Sequence, residues 1–290
     1  MKHYPEEVRG RKLCIISGHS EPAETFRKRE HFIPEGLGFP WTALPKGTGT
    51  CDRINAASGE HEREWLRYGS MGVFRPWYVH KGKQGPPQFY APKRSDFKLA
   101  FCTGDDGRFE MRVASEGSPL LPDEVIGPVD IEMNVPMTQA NSTRVSLALH
   151  KMCLLSLWLA QPQLIFDPVF DDVRSFLNGP PDPATFRPFR EDSRVPCEPG
   201  VSIHFMIKMS ERPEEAHGTR KVALIDTVYG AVRAHHMHYL VSLAGDLVGL
   251  DDRAGVLREW QPLDETVRIT KKIGFRANSV GPKKTIGKKP

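Results

Sequence analysis

The sequence predicts an α+β protein in which helices and mostly antiparallel strands occupy separate stretches of the chain. The first observation is a pair of runs, residues 97–102 and 108–113, that alternate between apolar and polar side chains around a Gly-Asp-Asp-Gly turn. The second is a helix-forming stretch over residues 141–160, for which Asn141 or Ser142 is a suitable N-cap. Together they indicate a mixed fold built around a hairpin and a buried helix.

The elements that follow support the same class. A shorter helix is predicted over residues 171–178, before the helix-breaking sequence Gly179-Pro180-Pro181. Three more alternating runs predict strands at residues 201–209, 221–228 and 236–243. We therefore expect antiparallel strands and a central pair of helices in this part of the chain.

The first ninety residues are richer in Gly, Pro and charged side chains. Apolar runs at residues 13–16 and 32–34 predict short strands, and residues 60–68 predict a helix after Ser58-Gly59. The order is strand, turn, strand, loop, helix. A Gly- and Pro-rich stretch at residues 82–87 marks a boundary. The predicted units are residues 1–88, residues 89–270 and a basic tail, residues 271–290.

The composition is typical of a soluble globular protein, with 39% hydrophobic and 26% charged residues. No apolar stretch reaches the roughly 18 residues of a membrane span. The longest apolar-leaning run, residues 145–159, is interrupted by His150, Lys151 and Ser156, which favours a buried amphipathic helix. Without the apolar core of a signal peptide, a cytoplasmic location with no membrane partner is predicted. Five scattered cysteines without a CxxC pair argue against a disulfide framework.

The residues with the clearest chemistry are the pair Glu30-His31, with Asn55 downstream and Glu62 and Glu64 on the predicted helix. Such groups can converge on one divalent cation and one water. Phosphodiester cleavage needs that set, because a metal neutralises charge on the phosphate while an imidazole takes a proton from water. Carboxylate oxygens suit Mg²⁺ or Mn²⁺.

Positive charge is concentrated just before Glu30-His31 and at the C-terminal end of the sequence. The net charge is +4, and residues 271–290 alone carry +7, which leaves −3 on the first 270 residues. The basic end is either a solvated tail or an arm that contacts phosphates. The residues predicted to contact nucleic acid are Arg27, Lys28, Arg29, Lys271, Lys272, Lys283 and Lys284.

Three segments resemble the HNH endonuclease family, whose fold is the ββα-metal finger: Cys14-Ile15-Ile16-Ser17, Glu30-His31-Phe32-Ile33-Pro34-Glu35-Gly36-Leu37-Gly38 and Cys51-Asp52-Arg53-Ile54-Asn55. The zinc-braced branch of that family has the pattern CxxC, EHIIPxxLG, CxxCN and a helix bearing an acid. The similarity covers residues 13–68 closely and continues more weakly through residues 174–177. It implies a metal-dependent endonuclease that acts on nucleic acid, with DNA as the expected substrate.

The resemblance also implies a role for each matching residue. His31 matches the general base, and Glu30 matches the acidic metal ligand before it. Asn55 matches the middle Asn, which orients the loop and the base. Glu62 matches the final acidic ligand on the helix. The alternatives for this last ligand are His61 and Glu64.

The chain departs from the family pattern at the zinc knuckle. Ser17 and Ile54 stand where the second cysteine of each CxxC pair is expected, so a four-thiolate zinc site cannot form and structural zinc is not expected. Structural zinc contributes on the order of 10 kcal/mol to folding, so another brace is needed. Packing of Ile54 against Ile15 or Ile16 and docking onto the second region are the candidates. The remaining zinc alternative uses Cys14, Cys51 and His19.

Two hypotheses of different class follow from the resemblance and its departures. The first is a Mg²⁺- or Mn²⁺-dependent endonuclease with His31 as the base. The second is an inactive or weakly active nuclease-derived module that binds nucleic acid or forms part of a homo-oligomer or larger complex.

Overall fold

A computed structural model describes residues 12–39, 42–45, 47–67, 71, 97–103, 109–115, 128–135, 139–180, 186, 188–192, 200–213, 221–234, 237–245, 261–262 and 267–274. These residues form helices and antiparallel strands, which confirms the α+β class. Among them, no helix has both the length and the apolar character needed to span a membrane. The boundary predicted near residue 88 and the lysines Lys283 and Lys284 lie outside the described residues.

The N-terminal part consists of tight loops that lead into one helix. Residues 13–20 form a loop closed by an isolated bridge between Leu13 and Ser20. The strand predicted at residues 13–16 is wrong, because the chain reverses there: Gly18 adopts a φ of 70° and donates its N–H to the Cys14 carbonyl at 2.9 Å. A second isolated bridge joins His31 and Ala43. The strand predicted at residues 32–34 is wrong, because these residues form a bend that leads into the next helix.

A 3-10 helix, Glu35–Leu37, and helix α1, Asp52–Arg67, complete this part. The helix predicted at 60–68 therefore starts eight residues later than the observed one. Ser58 does not mark its beginning, because the Ser58 hydroxyl donates to the Ile54 carbonyl (2.7 Å) one turn earlier within α1. Asp52 begins the helix instead, where its negative charge complements the helix dipole.

The strands form three antiparallel groups. Strands β1, Phe97–Thr103, and β2, Phe109–Ser115, pair as the predicted hairpin. Strand β3, Pro128–Val135, pairs with β9, Val267–Gly274, so Lys271 and Lys272 lie in a strand and the predicted tail begins inside it. The remaining strands are β4, Phe189–Asp192; β5, Val201–Pro213; β6, Lys221–Ala234; β7, Met237–Ala244; and β8, Gln261–Pro262. They form one antiparallel sheet in the order β5-β6-β7-β4-β8.

Helix α2, Gln139–Ala160, is the centre of the described structure, and α3, Asp171–Asn178, packs beside it. Both predicted helices are confirmed, but the predicted N-cap of α2 is wrong, because the helix begins at Gln139 and Asn141 and Ser142 lie inside it. Helix α2 lies against α1 and β7. Its apolar side chains, such as Leu149 and Leu155, belong to a core that also contains Ile15 and Trp65 of the N-terminal part and Val232 of β6. Trp65 of α1 donates its indole N–H to the Tyr239 hydroxyl at 3.1 Å across this core. The N-terminal part therefore packs against the second region. This is one of the two ways in which it was expected to be stabilised without zinc.

Candidate functional site

Glu30 and Glu62 converge on one ammonium group. The Nζ of Lys151 lies 2.9 Å from Glu30 Oε1 and 2.7 Å from Glu62 Oε1. The side chains of Lys151 and Glu30 are 2% and 3% exposed, whereas that of Glu62 is 20% exposed. Three separate elements meet here: the loop before residue 31, helix α1 and helix α2. The structure thus brings together the two carboxylates singled out in the sequence, with a lysine between them.

Two neutral donors complete the environment of Glu30. The Thr50 hydroxyl donates to Glu30 Oε2, and the His31 N–H donates to Oε1 at 2.9 Å. The chain can bring Thr50 this close because Gly49 has a φ of 86° and no side chain. A Cβ at Gly49 would lie 2.8 Å from Leu44 Cδ1 and 3.5 Å from Glu30 Cγ. Glu30 is therefore fully hydrogen-bonded in a buried site.

The pKa values of Lys151 and Glu62 each depend on the charge of the other group. Burial alone lowers the pKa of Lys151, but the facing carboxylates of Glu62 and Glu30 outweigh burial and hold that pKa above the ordinary 10.5. Burial raises the pKa of Glu62 above 4.5, and the Lys151 ammonium opposes this rise. Lys151 is therefore positively charged at neutral pH.

His31 lies beside this group, at the surface. Its side chain is 21% exposed, and its Nε2 lies 3.9 Å from Glu35 Oε2. Its Nδ1 is buried and has no hydrogen-bond partner among the residues that the structure describes. The imidazole can therefore reach solvent, which a general base needs, but no described group bonds Nδ1 to fix its tautomer.

Asn55 bonds to the backbone of the residue that precedes Glu30. Its side-chain amide donates to the Arg29 carbonyl at 3.2 Å. This is the kind of contact that the resemblance implies for a residue that orients the loop. Asn55 thus acts on the backbone of the site.

In the part of the chain that the structure describes, neither alternative to Glu62 bonds to Glu30 or Lys151. Glu64 lies 3.5 Å from Arg144 Nη1. Burial, with the Arg144 charge as a further cause, lowers the pKa of His61. Within the described structure, the Nδ1 of His61 is buried without a hydrogen-bond partner. Glu62 is therefore the one of the three that meets Glu30.

Arg27, Lys28 and Arg29 form a basic segment that is fixed through its backbone. The Asp52 carboxylate accepts the N–H of Arg27 at 2.9 and 3.0 Å, the N–H of Lys28 at 2.7 Å and the Thr25 hydroxyl at 2.7 Å. Burial opposes ionisation of Asp52, but these bonds outweigh it and lower its pKa below 3.8. The three basic residues are exposed, and none forms a salt bridge with a described acid. The sequence offered no sign of the supporting role of Asp52.

The region of the expected zinc knuckle is filled by packed side chains. Cys14 and Cys51 are fully buried, and they share the core with Ile54 and with the isoleucines at 15 and 16. Burial raises the pKa of Cys51 to about 12, and the adjacent Cys14 thiol adds to the rise. His19 is exposed. Buried side chains thus pack at the position where the resemblance implies a zinc knuckle, and of the three residues in the Cys14, Cys51 and His19 alternative only the two cysteines are buried.

A divalent ion does not fit between Glu30 and Glu62 in this arrangement. The Lys151 Nζ already occupies the position that both Oε1 atoms face, and a dication there would be buried next to an ammonium. Among the described residues, no group of three or more His, Cys, Asp or Glu side chains is arranged to hold a metal. Sequence reasoning missed Lys151 as a site residue. Its signal was a lysine in an apolar helix, since a buried lysine requires an acidic partner.

No protein-family model, curated protein or solved structure matches this chain.

Proposed function

We propose that this chain binds nucleic acid through the basic segment Arg27 to Arg29, presented by an HNH-like module. The observation that carries the proposal is the support of this segment by Asp52. Its carboxylate holds the backbone N–H groups of Arg27 and Lys28 inward, and all three cationic side chains are exposed. Phosphate-binding side chains act best when their backbone is fixed, because little conformational freedom is then lost on binding.

The HNH-like character is part of the proposal and rests on local geometry beside the sequence resemblance. Two loops closed by isolated bridges precede helix α1, in the chain order of a ββα finger. Asn55 on α1 holds the carbonyl next to Glu30, and His31 follows directly. The basic segment adjoins these residues, so bound phosphates would lie along the edge that carries His31.

The proposal is tested by measuring binding of the full chain to labelled duplex DNA, single-stranded DNA and RNA by fluorescence anisotropy over a range of salt. Duplex binding is expected to weaken linearly in a plot of log K against log salt. Changing Arg27, Lys28 and Arg29 together to Gln should make this negative slope shallower by up to about 2.7, because each phosphate contact that is lost changes it by about 0.9.

A matched variant controls for net charge. Changing Lys12, Arg63 and Lys208 to Gln removes the same three charges from exposed positions elsewhere. This control should keep the wild-type slope. Absence of binding to all three probes, or an equal weakening in both triple variants, would refute the proposed surface.

A second candidate is the endonuclease predicted from the sequence, and the exposure of His31 next to the basic segment favours it. Plasmid and single-stranded DNA are incubated with the protein in Mg²⁺ or Mn²⁺, beside a His31→Ala control. Cleavage that depends on both metal and His31 would establish this activity. Binding without cleavage, unchanged in His31→Ala, is the result expected of a binding module.

A further inference from the structure

The Lys151 ammonium lies between the two carboxylates that the resemblance assigns to a divalent ion. We propose that Lys151 is the permanent cation of the Glu30–Glu62 pair and excludes divalent metal from it, so that this pair becomes a metal site only when Lys151 is removed. The inference concerns the ion that the pair accepts and does not depend on nucleic-acid binding.

One point between Glu30 and Glu62 is in reach of both carboxylates. The Nζ of Lys151 is 2.9 Å from one Oε1 and 2.7 Å from the other, so a single point faces one oxygen of each carboxylate. Oxygens that converge in this way from two elements are the usual protein contribution to a Mg²⁺ or Mn²⁺ site, since these ions keep several waters and use one or two carboxylates. The lysine occupies that point.

Burial prevents the Lys151 ammonium from moving away from the two carboxylates. Its side chain is 2% exposed, and its neighbours on α2, Leu149, Met152 and Leu155, are buried as well. An ammonium displaced from the carboxylates would remain buried without a counter-ion, which is strongly unfavourable. A flexible surface lysine could move aside for a metal, but this one cannot.

The net charge of the site also disfavours a dication beside Lys151. With both carboxylates ionised, Glu30, Glu62 and Lys151 together carry −1. Adding a dication while Lys151 stays would give +1, with two cations side by side in a buried site. Adding the dication after Lys151 is replaced by a neutral side chain gives zero. The pair is therefore matched to one dication only in the absence of the lysine.

Binding of Mn²⁺, followed by the decrease of the free-ion EPR signal, tests the proposal on the full chain. Wild type is expected to show no binding tighter than about millimolar. Lys151→Met, which nearly keeps the volume of the side chain but has no atom at the Nζ position, should bind at least tenfold more tightly. The triple variant Lys151→Met/Glu30→Gln/Glu62→Gln should lose that gain and controls for new sites elsewhere.

Two outcomes would overturn the proposal. One is a folded Lys151→Met protein that binds Mn²⁺ no better than wild type. The other is tight Mn²⁺ binding by wild type that disappears in Glu30→Gln/Glu62→Gln, which would mean that the lysine yields to metal. This second measurement needs no lysine variant, so the proposal stays testable if Lys151→Met does not fold. Failure of the nucleic-acid experiments would leave both outcomes unaffected.

Discussion

Replacing Lys151 by Met should be one of the most destabilising single substitutions in the described part of the chain. The change keeps the volume of the side chain but leaves two carboxylates facing each other in a buried site. Breaking a buried ion pair by removing one partner costs about 3–5 kcal/mol. Glu30 is 3% exposed, so its carboxylate would lose its counter-ion without gaining water. Glu62 is 20% exposed, so water can partly solvate its carboxylate and reduce the loss of stability. We therefore expect Lys151→Met to lower the free energy of unfolding by about 3–5 kcal/mol, out of a total of about 5–15 kcal/mol for a typical domain.

Urea unfolding at neutral pH measures this destabilisation, and two further variants show its origin. In Lys151→Met/Glu30→Gln/Glu62→Gln no buried charge remains at the site, so most of the stability should return. Arg144→Met breaks the pair with Glu64, in which Arg144 is 50% exposed, and should cost less than about 1 kcal/mol. The reasoning fails if Lys151→Met costs no more than Arg144→Met, or if the triple variant is less stable than the single one.

The pH dependence provides a second check on the same site. Because the folded-state pKa of Lys151 is raised above 10.5, its contribution is fully present below that value and is lost as the pH rises through the folded pKa. Once both carboxylates of Lys151→Met are ionised, the stability difference between wild type and this variant should therefore stay constant with rising pH and narrow only in strong alkali. A difference that narrows already near pH ~8 would show that Lys151 is not held in its charged form.

Three further predictions concern the packing around α2. A Cβ at Gly230 would lie 2.6 Å from Cys153 Sγ, so Gly230→Ala should cost about 1–3 kcal/mol by urea unfolding, and adding Cys153→Ala should recover part of it. Trp65→Phe removes the 3.1 Å bond to Tyr239, and a double-mutant cycle with Tyr239→Phe should give a coupling of about 1 kcal/mol, with zero coupling as the contrary result. Burial lowers the pKa of His150 from 6.5 to about 4, so its stabilising effect is present above pH 6.5 and is lost as the pH falls towards 4. Wild type should lose about 3 kcal/mol more than His150→Leu over that interval, and equal losses would contradict the assignment.

The parts of the fold that sequence could predict are those decided by nearby residues. Helix α3 was predicted at its observed bounds because Asp171 begins its first turn and Gly179-Pro180 stops it. The β1–β2 hairpin was predicted from alternation around one Asp-Gly turn. The loop at residues 13–20 was not, because Ile15 donates its N–H to the distant Gly49 carbonyl at 2.9 Å. An apolar run shows that residues are buried, but it does not show which groups accept their N–H bonds.

The candidate site also has a part that the sequence could predict and a part that it could not. The proximity of Glu30 and Glu62 could be predicted, because a short segment carries both and a family resemblance relates them. The third charge could not, since Lys151 lies 121 residues from Glu30 and no local pattern joins the two. What the sequence did contain was a lysine inside an apolar helix. That lysine predicts a carboxylate partner, although it does not say which one.

Side chains of the protein occupy both positions at which the zinc-braced HNH family, which the sequence resembles, holds a metal, and this has a consequence for folding. A metal held by one segment stabilises that segment alone, because all of its ligands are local. Here, the ammonium that joins Glu30 to Glu62 comes from α2, and the indole of Trp65 bonds a tyrosine on β7. Without α2, the two carboxylates would lose their shared cation. The N-terminal part therefore depends on the second region for the stability that zinc supplies in the family it resembles, so the two regions are expected to fold as one unit.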